Sequence, residues 1–132
     1  MADIINVTLN GKSVQARTGT TILDLASEHG IIIPTLCFHK NLSPTGACRM
    51  CVVEVEGVRG FPASCTFPVA KDMVVKTDTQ GVRQLQRGVM DMLISEHPHG
   101  CLTCHRIDLC GPEDICLRHV AVNDRCVICP KN

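Results

Sequence analysis

Large aromatic side chains are nearly missing from this chain of 132 residues, which has no Trp, no Tyr and three Phe. A protein that binds single-stranded nucleic acid by base stacking needs such rings, so the sequence argues against that class. The formal net charge is zero, from 13 basic and 13 acidic residues. A surface without excess positive charge also disfavours binding to DNA, RNA or an anionic membrane.

Long apolar runs are missing too. No stretch approaches the roughly 18 residues that a transmembrane helix needs, and Met1–Ile4 lacks the basic start of a secretory signal. These absences predict a cytoplasmic protein. Cysteine, by contrast, is abundant, at 10 residues. In a reducing compartment so many thiols are expected to be metal ligands or catalytic groups rather than disulfides.

The first part of the chain predicts a hairpin followed by a helix. Apolar and polar residues alternate within residues 4–16 on both sides of Asn10-Gly11, a pair typical of two-residue hairpin turns. Thr21 predicts the capped start of a helix, and Gly30 predicts its end. Without large rings, the core is expected to consist of Val, Ile, Leu and Met.

The middle of the chain predicts two short strands and a second helix. After an irregular loop between Cys37 and Cys48, alternation returns at Cys51–Glu56 and again at Met73–Lys76. Apolar residues at helical spacing predict a helix over residues 80–96. The order of these elements favours an α+β fold in which one helix packs across a small mixed sheet.

Four cysteines of the predicted sheet region have the spacing C-x10-C-x2-C-x13-C, and they are Cys37, Cys48, Cys51 and Cys65. A close pair between two distant cysteines suits a loop that wraps around an iron–sulfur cluster. Gly46 permits a close backbone approach, so that N–H groups point at sulfur. Four thiolates also hold zinc, but structural zinc sites usually use two close pairs. The spacing therefore favours a [2Fe–2S] cluster, with zinc as the alternative.

The same string resembles the [2Fe–2S] domain that opens the large (75 kDa-type) iron–sulfur subunit of respiratory complex I. That domain also opens NAD-linked formate dehydrogenases and many iron-only hydrogenases. The central Gly46-Ala47-Cys48-Arg49-Met50-Cys51 carries the resemblance, and the spacing differs from the C-x4-C-x2-C of plant-type ferredoxins. The resemblance implies a ferredoxin-like β-grasp fold for residues 3–78, with the four cysteines as [2Fe–2S] ligands.

A second group of ligand-type residues has the spacing H-x3-C-x2-C-x5-C, and its members are His97, Cys101, Cys104 and Cys110. Taken alone, a C-x2-C pair with a nearby His is also half of a zinc site. The family that the first group resembles carries a [4Fe–4S] cluster at this place, bound by one His and three Cys. The resemblance therefore implies the same cluster here.

Three cysteines remain: Cys116, Cys126 and Cys129. The family often continues with C-x2-C-x2-C-x3-C, but Asn132 stands at the third position of that pattern. We interpret the three as the start of a further [4Fe–4S] segment of a longer polypeptide, as an irregular second His–Cys site, or as structural or zinc-binding residues. Three parts are therefore predicted. Residues 1–78 form a [2Fe–2S] domain, and residues 79–112 form a small loop-rich [4Fe–4S] domain with one His and three Cys ligands. Residues 113–132 form a cysteine-containing tail.

No catalytic centre is recognisable in the sequence. Two redox centres joined by a helix predict an electron-transfer subunit or fragment, and the chemistry at each end then belongs to partners. The expected partners are a flavin/NAD(P)H-oxidising subunit and a second redox subunit, namely a formate dehydrogenase, a hydrogenase or a quinone-reducing module. The alternatives are a zinc-stabilised protein-interaction module without a redox role and a free-standing iron–sulfur sensor.

Overall fold

The protein begins with the predicted hairpin. The structure, a computed structural model, describes residues 3–96 and Asp108. Strand β1 (Ile4–Leu9) pairs antiparallel with β2 (Lys12–Arg17). Both turn residues have positive φ, 50° for Asn10 and 81° for Gly11, as a two-residue turn matched to the twist of the strands requires. The hairpin prediction is therefore confirmed.

Helix α1 (Ile22–Glu28) follows the hairpin and packs against the sheet. The Asp24 N–H donates to Thr21 Oγ1 at 3.1 Å, which satisfies one of the free donors of the first turn. Gly30 ends the helix with a φ of 71°. The buried side chains of α1 join those of the sheet in one aliphatic core, which includes Val7, Leu9, Ile22, Leu25, Ala26 and Val75.

The sheet is completed by two short strands, β3 (Glu54–Val55) and β4 (Val74–Lys76). β4 lies beside β1 in parallel, and β3 pairs antiparallel with β4, so that the strand order is β2-β1-β4-β3. Asn10 ties the hairpin turn to the end of β4, because its side chain donates to Thr77 Oγ1 and accepts from the Thr77 N–H, both at 2.8 Å. This mixed sheet with one helix is consistent with a ferredoxin-like [2Fe–2S] domain.

The strand predicted over Cys51–Glu56 is wrong in its length. Only Glu54–Val55 belongs to β3. The residues before it pair elsewhere: the Val53 N–H donates to Pro62 O at 3.1 Å, and the Cys51 carbonyl accepts from the Ser64 N–H at 3.0 Å. Alternation of Val and Glu indicates an extended chain, but it does not reveal which neighbour that chain pairs with.

Helix α2 (Gln80–Glu96) has the predicted bounds. Its first turn is capped by Thr79, whose Oγ1 accepts from the Val82 N–H at 3.3 Å. The first compact unit of the chain ends within this helix, at Asp91. Among the described residues, neither helix is both long and apolar enough to cross a membrane.

Candidate iron–sulfur site

The four cysteines of the first group lie on three segments that meet beside the sheet. Cys37 is exposed, on the loop that follows α1, and Cys48 is half-buried. Cys51 and Cys65 are each only 1 % exposed and belong to the hydrophobic core. Two thiols are therefore anchored in the folded body, and the other two lie on its surface loop.

Gly46 lets the loop approach the segment that carries Cys65. Its φ is 65°, a conformation that side chains with a Cβ rarely adopt. A Cβ at this position would lie 3.3 Å from Cγ2 and from Oγ1 of Thr66, and 3.7 Å from the Ala63 Cβ. The Gly46 N–H also lies within reach of the Cys65 sulfur, where it lowers the pKa of that thiol. The predicted role of Gly46 in bringing amide donors toward sulfur agrees with this geometry.

Cys37 lies among hydrogen-bond donors. The backbone N–H of Cys48 is the largest influence, followed by the Cys48 side chain, and together with the Ala47 N–H and the Thr45 hydroxyl they lower the pKa of Cys37 from 9.0 to about 7. Thr45 Oγ1 is 3.9 Å from the Cys37 sulfur. Donors directed at sulfur favour the thiolate, which is the form that binds metals.

Cys65 has the opposite environment. Burial is the largest effect, and with hydrogen bonding and charge from Cys51 it raises the pKa of Cys65 to about 11. Cys37 adds a weaker electrostatic contribution in the same direction. A buried thiolate in contact with a second thiol is unfavourable unless positive charge is supplied, as iron would supply it.

The four thiols therefore form two neighbouring pairs, Cys37 with Cys48 and Cys51 with Cys65, and Cys65 senses the charge of Cys37. Within the part of the chain that the structure describes, no three His, Cys, Asp or Glu side chains are grouped as the ligands of a single ion would be. Two pairs fit a [2Fe–2S] cluster, in which each iron takes two protein ligands, better than one tetrahedral zinc ion.

The turn between Cys48 and Cys51 is held from two sides. Arg49, with a φ of 60°, donates from Nη2 to Phe61 O at 2.8 Å. Gln86 of α2 donates from Nε2 to Met50 O at 3.2 Å. The Met50 N–H in turn lies 3.5 Å from the Cys48 sulfur. Sequence reasoning missed Gln86 and Phe61. Gln86 binds a main-chain carbonyl and Phe61 contributes its own carbonyl, and no spacing in the sequence indicates such contacts.

The remaining site predictions lie outside the described residues. They concern the second group, His97, Cys101, Cys104 and Cys110, and the last three cysteines, Cys116, Cys126 and Cys129. Nothing in the described structure tests a [4Fe–4S] cluster, and these residues stay predictions.

Comparisons with known proteins agree with the geometry of the first group. Residues 2–80 match the family described as "2Fe-2S iron-sulfur cluster binding domain". A subunit of the NADH-quinone oxidoreductase of Rhizobium meliloti is 36 % identical over 116 residues, which are 88 % of this chain and 14 % of that protein. The HndD subunit of the NADP-reducing hydrogenase of Solidesulfovibrio fructosivorans is 42 % identical over 113 residues, 81 % of this chain and 19 % of that subunit.

A solved structure shares the fold. It is the crystal structure of an NAD+-reducing [NiFe]-hydrogenase in the H2-reduced state, with a TM-score of 0.68 and 32 % identity over 77 % of this chain and 43 % of that one. The chain spans less than a fifth of the length of the two relatives. The predicted resemblance to the iron–sulfur subunits of NADH oxidoreductases and hydrogenases is confirmed, and the chain belongs to the family of 2Fe-2S iron-sulfur cluster binding domains.

Proposed function

We propose that this chain carries single electrons between a flavin/NAD(P)H-oxidising subunit and a second redox subunit. The observation that supports this most strongly is the gathering of Cys37, Cys48, Cys51 and Cys65 as two neighbouring thiol pairs with amide donors beside them. When bound there, a [2Fe–2S] cluster supplies reversible one-electron chemistry. The rest of the activity then belongs to partner subunits.

The chain's own residues set the conditions for that chemistry. Cys51 and Cys65 lie in the core and keep water away from one pair of ligands. The N–H groups of Cys48 and Ala47 at the Cys37 sulfur stabilise negative charge at the other pair. Such hydrogen bonds, together with burial, are what a protein uses to adjust the potential of a cluster.

The names of the relatives support the nature of the partners. The relatives are a subunit of an NADH-quinone oxidoreductase and a subunit of an NADP-reducing hydrogenase. We infer that the first partner of this chain oxidises or reduces NAD(P)H and that the second acts on a quinone, on hydrogen or on formate. Cys37, Cys48, Cys51 and Cys65 are free thiols in the structure, which supports a reducing compartment, the cytoplasm, as the place of action.

A second cluster extends the proposal beyond the described residues. His97, Cys101, Cys104 and Cys110 have one imidazole and three thiols at the spacing that the family uses for a [4Fe–4S] cluster. We propose that residues 79–112 form that second site, after a [2Fe–2S] domain over residues 1–78. The tail, residues 113–132, then contributes Cys116, Cys126 and Cys129 to a further cluster.

Iron and sulfide counts test both clusters in one series. Anaerobically purified protein is expected to hold about six iron atoms with matching acid-labile sulfide, or about ten if the tail binds a third cluster. The variant Cys48→Ser should lose about two iron atoms and the [2Fe–2S] EPR signal, whereas Cys110→Ser should lose about four and keep that signal. Each variant thus serves as the control for the other.

Two outcomes would overturn parts of the proposal. If the purified protein is colourless and holds stoichiometric zinc, the chain is a zinc-stabilised protein-interaction module and not an electron carrier. If the unsubstituted protein holds only two iron atoms and Cys110→Ser leaves that number unchanged, the first site is retained and the second is rejected. His97→Cys should keep a [4Fe–4S] cluster and lower its potential, and an unchanged potential would reject His97 as a ligand.

A further inference from the structure

The two thiol pairs differ in their access to solvent. Cys51 and Cys65 are buried in the core, whereas Cys37 is exposed and Cys48 half-buried. An electron that enters or leaves the site therefore meets the least intervening protein on the side of Cys37. A partner that exchanges electrons with the site would therefore bind best on the side of Cys37.

Exposed apolar side chains lie next to Cys37. Leu36, its neighbour in the chain, is 54 % exposed, and Leu42 is 68 % exposed. The Leu42 N–H donates to His39 O at 3.0 Å, and such a turn brings its ends within about 7 Å of each other. Leu42 is thereby turned back toward the segment that carries Cys37.

The segment of the chain around Cys37 contains basic residues and no acidic ones. No Asp or Glu occurs between Glu28 and Glu54, and Lys40 and Arg49 are the charged residues in that interval. Lys40 is exposed and lies between the two ends of the turn that His39 and Leu42 form. Arg49 is also exposed, although its guanidinium group is engaged with the Phe61 carbonyl. Every charged side chain within residues 29–53 is therefore basic, which favours acidic groups on a partner that binds at Lys40.

We propose that Leu36, Cys37, Lys40 and Leu42, together the Cys37 surface, bind a redox protein whose contact face has an apolar centre bordered by Asp and Glu. This inference rests on the proposed electron-transfer function and names the side of the site that the partner uses. Apolar contact at Leu36 and Leu42 removes hydrocarbon surface from water. Complementary charge at Lys40 increases the rate of encounter and orients the partner.

Cross-linking tests the contact without measuring electron transfer. The iron-loaded chain is treated with a carbodiimide and an acidic flavodoxin, since this reagent joins a lysine amine to a carboxylate only where the two touch. Peptide mapping is expected to find Lys40 as the main conjugated lysine. Lys12 is the matched control, because it is exposed on β2, at the opposite edge of the sheet from β3. The variant Leu42→Ser should lower the yield of conjugate several-fold.

Small oxidants test the electron path and its charge. After reduction with dithionite, the chain gives one electron to each molecule of the anionic Co(III)–EDTA complex or of cationic hexaamminecobalt(III), and Co(III) becomes Co(II). Lys40→Gln should lower the rate of oxidation by the anionic complex by about two- to fivefold and raise the rate of oxidation by the cationic complex. Lys12→Gln should change neither rate. The differences should vanish in about 0.5 M salt, where surface charges are screened.

The outcomes separate this inference from the proposed function. A chain without a reducible cluster, judged by EPR before either experiment, refutes the function itself. A reducible cluster combined with equal conjugation at Lys12 and Lys40, or equal effects of the two Gln variants, refutes the Cys37 surface alone. Analytical ultracentrifugation adds a third test, because a dimer that Leu42→Ser dissociates would assign the surface to a second copy of this chain.

Discussion

Replacing Gly81 by alanine should leave the protein less stable than replacing Gly88 by alanine, although both residues lie in α2. Alanine favours a helix over glycine by up to about 1 kcal/mol. At Gly88 an added Cβ would meet no atom within 4 Å. Gly88→Ala should therefore stabilise the first unit by about 1 kcal/mol, the full gain expected of a position inside a helix.

At Gly81 the same methyl group meets the ring of Phe61. The added Cβ would lie 2.8 Å from Cζ and 3.2 Å from Cε1, well inside van der Waals contact. Inserting a methyl group into such a contact typically costs about 1–3 kcal/mol, and the gain in helix propensity offsets at most about 1 kcal/mol of it. Gly81→Ala should thus range from neutral to destabilising by about 2 kcal/mol, and it should lie about 1–3 kcal/mol below Gly88→Ala.

Thermal unfolding of the iron-loaded protein, followed by far-UV circular dichroism, measures this difference. For a unit of this size, 1 kcal/mol corresponds to about 4–8 °C in Tm. Phe61→Leu supplies the decisive background, because Gly81→Ala should become stabilising once the ring is absent. If Gly81→Ala raises the Tm as much as Gly88→Ala does, or if its effect is the same in the Phe61→Leu background, the proposed packing of Phe61 on α2 is wrong.

Two further predictions concern the site itself. The Ser64 hydroxyl is buried without a hydrogen-bond partner among the described residues, while the backbone N–H and carbonyl of Ser64 are hydrogen-bonded. Ser64→Ala should therefore be neutral or stabilising by about 1 kcal/mol. A lower Tm for this variant would show that the hydroxyl has a partner in the iron-loaded protein. In the iron-free protein at pH 8, the pKa values of about 7 for Cys37 and about 11 for Cys65 imply thiolate fractions of about nine-tenths and about a thousandth. Iodoacetamide should thus label Cys37 much faster than Cys65, as followed by mass spectrometry, and labelling of Cys37 should slow by about tenfold at pH 6. Equal rates at the two cysteines would contradict these environments.

The parts of the fold that were predictable depend on neighbouring residues. Asn10-Gly11 determines a tight turn, and Thr21 and Gly30 mark the two ends of α1, because each acts on backbone groups within a few residues. The β3 strand was predicted too long because its pairing depends on residues around Pro62 that follow later in the chain. Pairing of that kind leaves no trace in local alternation.

The candidate site divides in the same way. Cysteine spacing and Gly46 indicated which residues converge, because a close pair of cysteines between two distant ones suits a loop that wraps around one cluster. The contacts that hold the turn between Cys48 and Cys51 were not predictable, since Gln86 donates to the Met50 carbonyl although 36 positions separate the two residues in the sequence. Any residue type offers such a carbonyl, so neither partner has a recognisable pattern.

Two of the four cysteine ligands are positioned by folding of the domain, and the other two depend more on the cluster. Cys51 and Cys65 pack with the aliphatic side chains that join α1 to the sheet, so their positions follow from the same burial that stabilises the fold. Cys37 lies on an exposed loop whose contacts at the sulfur are hydrogen bonds from residues 45–48. Loss of the cluster should therefore leave the hairpin, α1 and the sheet intact and release chiefly the loop between Cys37 and Cys48, which is also the region that we assign to partner binding. Assembly of the cluster and formation of a docking surface are, on this argument, one event in the same loop.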